Sequence, residues 1–476
     1  MVDRWDDDAK REAIENAEVF EADEDPRIET IAAVTDDALA LAFSAAHADS
    51  LRYVAGWGRW LQWTGAVWRH DDTLFVFDRV RRLCRAASGA NRTPAEKRTL
   101  ADARTVAAVE RLARCDRRHA ATVDQWDADP WLLGTPGGTV DLRTGKLRPA
   151  DRADHLTKLT AVAPDFEAGC PLWLAFLSRV TDGDAALQQY LQRLAGYCLT
   201  GSTREQIFAF FYGTGANGKG VFLNTLTAIF SEYGHVAAAS MFEVTAGDRH
   251  PTELAALRGA RLVTAQETEA GRRWAESRIK ALTGDDPITA RFMRQDEFTF
   301  MPTHKILIAG NHKPGLRNVD EAMRRRLHLV PFEVQIPRAE RDLRLAEKLK
   351  AEHPAILAWA IRGCLAWQAD GLQPPACVLA ATAEYLAAQD AFGIWLDDCT
   401  ERGGVYDWES AADLTASWKR WAEAAGEVTG TRNSFADRMK AAGFEPARKA
   451  DASRARGYVG IRIIRENYTD SARYGG

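Results

Sequence analysis

Several short, nearly unbroken apolar runs punctuate the middle of the chain, and each ends on glycine or a polar group. They are Phe210-Phe211-Tyr212, Leu262-Val263-Thr264-Ala265, Ile306-Leu307-Ile308-Ala309 and Leu329-Val330-Pro331-Phe332. Runs this short, bounded by turn signals, predict buried strands. Residues 221–230, between the first two, read as a helix. Elsewhere the apolar spacing predicts helices over 36–47, 73–87, 94–115, 343–368 and 381–399, and a helical collar over 172–200. Residues 59–68 predict a tryptophan-rich hairpin turning at Thr64-Gly65, its tryptophans assigned to the core, and a second hairpin turns near Thr144-Gly145. The tail predicts helices over 411–425 and 433–442, then two strands split by the basic stretch 448–457.

The first strand runs into Gly213, Thr214, Gly215, Ala216, Asn217, Gly218, Lys219, Gly220 and Val221. Gly213, Gly218 and Lys219 have the spacing G-x-x-x-x-G-K between strand and helix, the setting in which it cradles phosphates. Glycines are required because backbone N–H groups must crowd around phosphate oxygens, where side chains would obstruct them. The helix N-terminus adds its positive dipole end, and Lys219 a cation for β- and γ-phosphates. Residues 213–221 are therefore the expected ATP-binding loop. Gly220 departs from the pattern, because a Ser or Thr there would lend its hydroxyl to Mg²⁺. A further water can take that place, and slower hydrolysis is expected.

The second strand ends on Glu267 and Glu269. Acids at such a tip can hold Mg²⁺ through water and polarise the attacking water. Glu267 is assigned to the metal and Glu269 to the water, although these roles can be exchanged. Asn311, at the tip of the third strand, fits a sensor of the γ-phosphate. Arg325 and Arg326 follow in Asp320-Glu321-Ala322-Met323-Arg324-Arg325-Arg326 and suit an arginine finger reaching a neighbouring subunit's nucleotide.

Taken in order, GTGANGKGVF, RLVTAQETE, LTGDDPITARFMRQDEFTF, KILIAGNHKP and DEAMRRRLHLVPFE resemble the superfamily 3 helicases, in the phage and plasmid primase-helicase branch of the AAA+ ATPases. The resemblance extends upstream, more weakly, through residues 51–78 and 130–150. It implies an α/β fold: an AAA+ P-loop motor over 205–335, an α+β N-terminal domain over 31–165, a helical collar over 166–204, a helical extension over 336–400 and a C-terminal winged helix over 401–476. It also implies a ring, typically hexameric, that hydrolyses ATP with Mg²⁺ between subunits and draws single-stranded DNA through its centre. This class places a DNA-gripping hairpin where residues 283–300 lie. Arg294 is its main expected contact, with Lys280 and Arg291 beside it. In the tail, Arg448, Lys449, Arg454 and Arg456 would lie on the wing and meet phosphates.

A net charge of −5 and a pI near 6.1 argue against a broadly basic coat, so DNA contact is expected to be local. Much of the acid lies within residues 1–30, expected to form a disordered arm. None of the seven cysteines forms a C-x-x-C pair, which predicts reduced thiols, no zinc site and a place in the bacterial host cytoplasm. No apolar run reaches membrane-spanning length. The expected partners are single-stranded and forked DNA, copies of the same chain, and a separate primase or origin-binding protein. The expected activity is ATP-driven unwinding in phage or plasmid replication. The alternatives are a weakly hydrolysing, ATP-bound origin initiator and an RNA-directed or defence-related ATPase.

Overall fold

The computed structural model describes residues 35–89, 92–244, 252–266, 272–293, 296–316, 320–404, 407–425, 429, 432–449 and 454–464, apart from the side chains of 432–434 and 441. The expected acidic arm lies outside them. The chain divides into two compact units, Met1–Ala128 with Ala150–Thr157 and Asp129–Pro149 with Lys158–Gly476.

In the first unit, helix Asp36–His47 starts where Thr35 accepts from Ala38 N and two aspartates meet the positive end of the dipole. It packs with helices Phe75–Ala87 and Ala103–Cys115 around Phe43, Leu51, Val80 and Val109. A four-stranded sheet runs in the order Trp68–His70, Arg59–Trp63, Leu51–Val54, Ala120–Ala121. Trp60 and Trp68 are buried, so their rings belong to the core. Trp60 Nε1 donates to Glu110 Oε1 at 2.7 Å, which gives that buried carboxylate a partner besides Arg114.

The second unit begins with a three-stranded antiparallel sheet, Leu132–Thr135, Gly138–Asp141 and Lys146–Arg148. The boundary expected at residue 165 divides differently, because this hairpin joins the later unit. Leu133, Val140 and Leu142 share a core with Trp173 and Tyr190, and Gln368 Nε2 donates to Leu142 O at 2.7 Å.

Helices Pro171–Val180 and Ala185–Leu199 follow, then a parallel five-stranded sheet. Its strands are β1 Phe208–Tyr212, β2 Gly234–Val236, β3 Leu262–Gln266, β4 Lys305–Gly310 and β5 Leu327–Pro331, in the order β5-β1-β4-β3-β2. Both faces are covered: Phe208 and Phe210 enter one core, Ala209 and Phe211 the other. This is why the runs read as continuously apolar rather than alternating. Helix α1, Lys219–Phe230, lies on one face. Its Phe222 stacks on Trp173 at 5.6 Å, and Trp359 of helix His353–Asp370 meets Trp173 edge-on. A hairpin pairs Ile288–Ala290 with Phe298–Phe300.

Past the sheet, helices Ala376–Gln389 and Ala391–Cys399 replace the single helix expected over 381–399. Helices Ala411–Ala424 and Arg432–Ala441 surround Trp395, Trp418, Met439 and Phe444 with strands Trp408–Ser410, Arg456–Val459 and Pro446–Arg448. Among the described residues, no helix is long and apolar enough to cross a membrane.

Candidate functional site

Parallel pairing brings the carboxyl ends of the central strands to one edge, with Tyr212 level with Gly310 and Gln266 with Ala309. The segments leaving those ends enclose a cavity of about 320 Å³, lined by residues 215–221, Gln266, Ala309, Gly310 and Asn311. Ligand sites in open α/β sheets lie at this edge.

Lys219 forms the inner wall and is 6% exposed. Its Nζ donates to Gly213 O at 2.8 Å, Asn217 Oδ1 at 3.1 Å and Asn311 Oδ1 at 3.3 Å. Burial lowers its pKa, because desolvation disfavours the charged form. The oxygens around it orient the ammonium without cancelling its charge, so an anion entering the cavity is attracted.

Close packing from outside requires glycine at two positions of the loop. Gly218 has φ +86°, and a β-carbon there would lie 2.5 Å from Val180 Cγ1. One on Gly213 would lie 2.0 Å from Phe332 O. Asn217 Nδ2 donates to Phe332 O at 2.7 Å, Gln335 Nε2 to Thr214 Oγ1 at 2.7 Å, and Ile336 N to Ala216 O at 3.0 Å. The segment after β5 therefore fastens the loop from outside. At Gly220 a β-carbon would meet Gln266 Oε1 at 3.6 Å, an ordinary contact, so that position has room for a side chain.

Of the residues expected from sequence, 215–221 and Asn311 line this cavity, while Gly213 reaches it only through its carbonyl on Lys219 Nζ and Thr214 is held by Gln335. Glu267, Glu269 and Arg294 lie outside the described residues. Arg325 is exposed after the short helix Glu321–Arg324. Arg326 corrects the expectation of a second finger: it is 7% exposed and turned inward. It donates to Thr283 Oγ1 at 3.1 Å, Ala322 O at 3.0 Å and Gln206 Oε1 at 3.3 Å. The Lys280 ammonium pairs with Asp320.

Arg291 is exposed on the hairpin beside Phe292 and Met293, and Phe292 stacks on Phe298 at 5.4 Å. In the tail, Arg448 and Arg456 are register partners on adjacent strands, and all four basic residues, Arg448, Lys449, Arg454 and Arg456, are exposed.

Sequence reasoning missed Gln266, Asn224 and Gln335. Gln266 is the last residue of the β3 run, directly before Glu267, and a polar residue ending an apolar strand was the available signal. Nothing local marked Asn224 or Gln335.

Residues 40–182 match the family described as D5 N terminal like, and residues 211–326 a family of unknown function (DUF5906). A "Putative helicase" of Acanthamoeba polyphaga mimivirus is 24% identical over 320 residues, covering 62% of this chain and 33% of that protein. A "Putative helicase" of Frog virus 3 (isolate Goorha) is 27% identical over 179 residues, covering 36% of this chain and 18% of that protein. The chain thus spans a third or less of these relatives' lengths. The apo structure of the NrS-1 C terminal region is 10% identical with a TM-score of 0.45, covering 87% of this chain and 96% of that one. The family matches and the viral relatives bear out the resemblance to the phage and plasmid primase-helicases.

Proposed function

We propose that the chain is an ATP-dependent helicase that translocates on single-stranded DNA and unwinds duplex, assembled as a ring, hexameric as in the family it resembles, during phage or plasmid replication. One observation carries this reading: a buried lysine at the mouth of a glycine-rich loop, hydrogen-bonded to the polar tip of a neighbouring parallel strand. A cation held between a phosphate loop and a strand-tip sensor is what recognition of a terminal phosphoryl group requires. The viral relatives carry helicase names, which supports nucleic acid as the track.

In this reading the N–H groups of 213–220 hold the phosphates of ATP, and Lys219 neutralises β- and γ-oxygens. Asn311 reports the state of the γ-phosphate to Lys219. Glu267 would hold Mg²⁺ through water and Glu269 would orient the attacking water. Mg²⁺ contributes offset of phosphate charge when it arrives with the nucleotide. Arg325, exposed while Arg326 is turned inward, is the finger offered to the next subunit. The hairpin with Arg291 and Arg294 would follow the DNA backbone in the pore. The tail, with two helices and a hairpin of basic arms, would act as a winged helix on duplex phosphates.

Gly220 favours a second reading, an initiator that holds ATP and hydrolyses it slowly. Single-turnover hydrolysis with and without single-stranded DNA separates the two. Acceleration by DNA supports the motor, and ATP retained unhydrolysed in both supports the initiator. RNA in place of DNA tests the choice of track. For either reading, Lys219→Ala should reduce ATP turnover by about a hundredfold or more, as loss of a charge-stabilising donor does. Wild-type turnover in that variant would overturn the assignment of the site.

A further inference from the structure

Gly220 removes a hydroxyl from the place where the phosphate-loop pattern ordinarily carries one, yet the space beside it is not bare. Gln266, at the end of β3, reaches across so that its Oε1 lies 3.6 Å from where a β-carbon of residue 220 would stand. Its own amide is oriented, because Gln266 Nε2 donates to Asn224 Oδ1 at 2.6 Å. Asn224 is four residues beyond Gly220 on α1, hence on the same face one turn along. With the amide nitrogen occupied by Asn224, the carbonyl oxygen is left turned to Gly220. Both Gly220 and Gln266 line the cavity that contains Lys219.

We propose that Gln266, positioned by Asn224, supplies from the strand the neutral oxygen that the helix lacks at Gly220. Its carboxamide oxygen accepts a hydrogen bond from the water shell of the divalent cation that accompanies the nucleotide's phosphates. This rests on the nucleotide reading of the site and adds to it the residue that completes the metal's side of the cavity. The chemistry is suitable, since Mg²⁺ keeps several waters and needs oxygen acceptors around them. A neutral acceptor completes that shell without adding a negative charge to the cavity. The site therefore tolerates glycine at 220 because a longer side chain from β3 spans the gap.

The test is binding of a fluorescent ATP analogue to the full chain, titrated with Mg²⁺ and again with chelator. In the wild type Mg²⁺ should tighten binding. Gln266→Ala should lose about tenfold of that tightening, with affinity in chelator unchanged, and Gly220→Ser in the same chain should restore it. A purely structural fastening of β3 to α1 would lower affinity equally with and without Mg²⁺, and that result overturns the proposal. So does a Gln266→Ala variant with the wild-type response to Mg²⁺. Gly220→Ser alone provides a second check that leaves Gln266 in place. It should gain less than about threefold, whereas a gain of about tenfold would mean the oxygen was missing and the proposal is wrong. Failure of the nucleotide reading looks different: the wild type would bind no analogue in either condition, or Lys219→Ala would bind it as well as the wild type.

Discussion

At the scale of single residues, the loop shows how neighbours outside it determine what it tolerates. The spacing of Gly213, Gly218 and Lys219 was legible because phosphate binding demands it locally. The constraint on Gly218 was not, for it comes from Val180 and Phe176 on a helix about forty residues earlier, whose atoms stand 2.5 and 2.8 Å from a β-carbon there. Gly218→Ala combines that overlap with a left-handed backbone, and should cost about 2–4 kcal/mol in denaturant-induced unfolding of the second unit. A cost below about 0.5 kcal/mol would mean that the helix gives way. Gln266 is a second case of the same kind, since its spatial neighbours Gly220 and Asn224 lie more than forty residues away along the chain.

At the scale of elements, adjacent arginines of the same type separate into different tasks. Arg326 stands just ahead of β5 and reaches Thr283, the last residue of helix Glu276–Thr283, and Gln206 before β1. Its loss removes hydrogen bonds to the buried Thr283 hydroxyl and to the half-buried Ala322 O and Gln206 Oε1, whereas Arg325 has its side chain in solvent. Arg326→Ala should therefore destabilise the fold by about 3 kcal/mol, while Arg325→Ala should leave the melting temperature within about 1 °C. DNA-stimulated ATPase should fall in Arg325→Ala, by about a thousandfold if it is the finger. Comparing thermal melts with ATPase rates distinguishes the two. Element boundaries failed in a consistent way. The apolar period continues across Asp102 and Asp390, so 94–115 and 381–399 each read as one helix. In the fold, Asp102 accepts from Arg104 N at 2.9 Å and Asp390 from Gly393 N at 3.0 Å, each capping a second helix. A period records which face is buried, but not whether one backbone or two supply it.

At the scale of the whole molecule, burial of ionisable groups in the second unit ties stability to pH. Desolvation holds His304 down to about 3 and His328 down to about 4, so both stay neutral in the fold where the unfolded chain would be protonated. A histidine with a depressed folded pKa binds fewer protons folded than unfolded. Stability is therefore full above the ordinary value near 6.5 and is lost as pH falls below it, down to the folded value. Each should remove on the order of 2 kcal/mol between about pH 6.5 and pH 5, read as a falling melting temperature by calorimetry. His328→Gln, which keeps a polar partner for the Tyr190 hydroxyl at 2.8 Å, should flatten that slope, and an unchanged slope would contradict the assignment. The sequence alone determined four of the five strands of the parallel sheet in their order along the chain, the helix after the glycine loop, that loop itself and the candidate strand-tip acid and amide. Each of these is written in a few consecutive residues through apolar spacing or backbone demand. Tertiary structure alone decided that 129–149 belongs to the unit that holds the parallel sheet, that Arg326 turns inward while Arg325 does not, and that Gln266 stands opposite Gly220. Those outcomes depend on which strand lies beside which and in what register. That is set by the simultaneous packing of both sheet faces, not by any local stretch of chain.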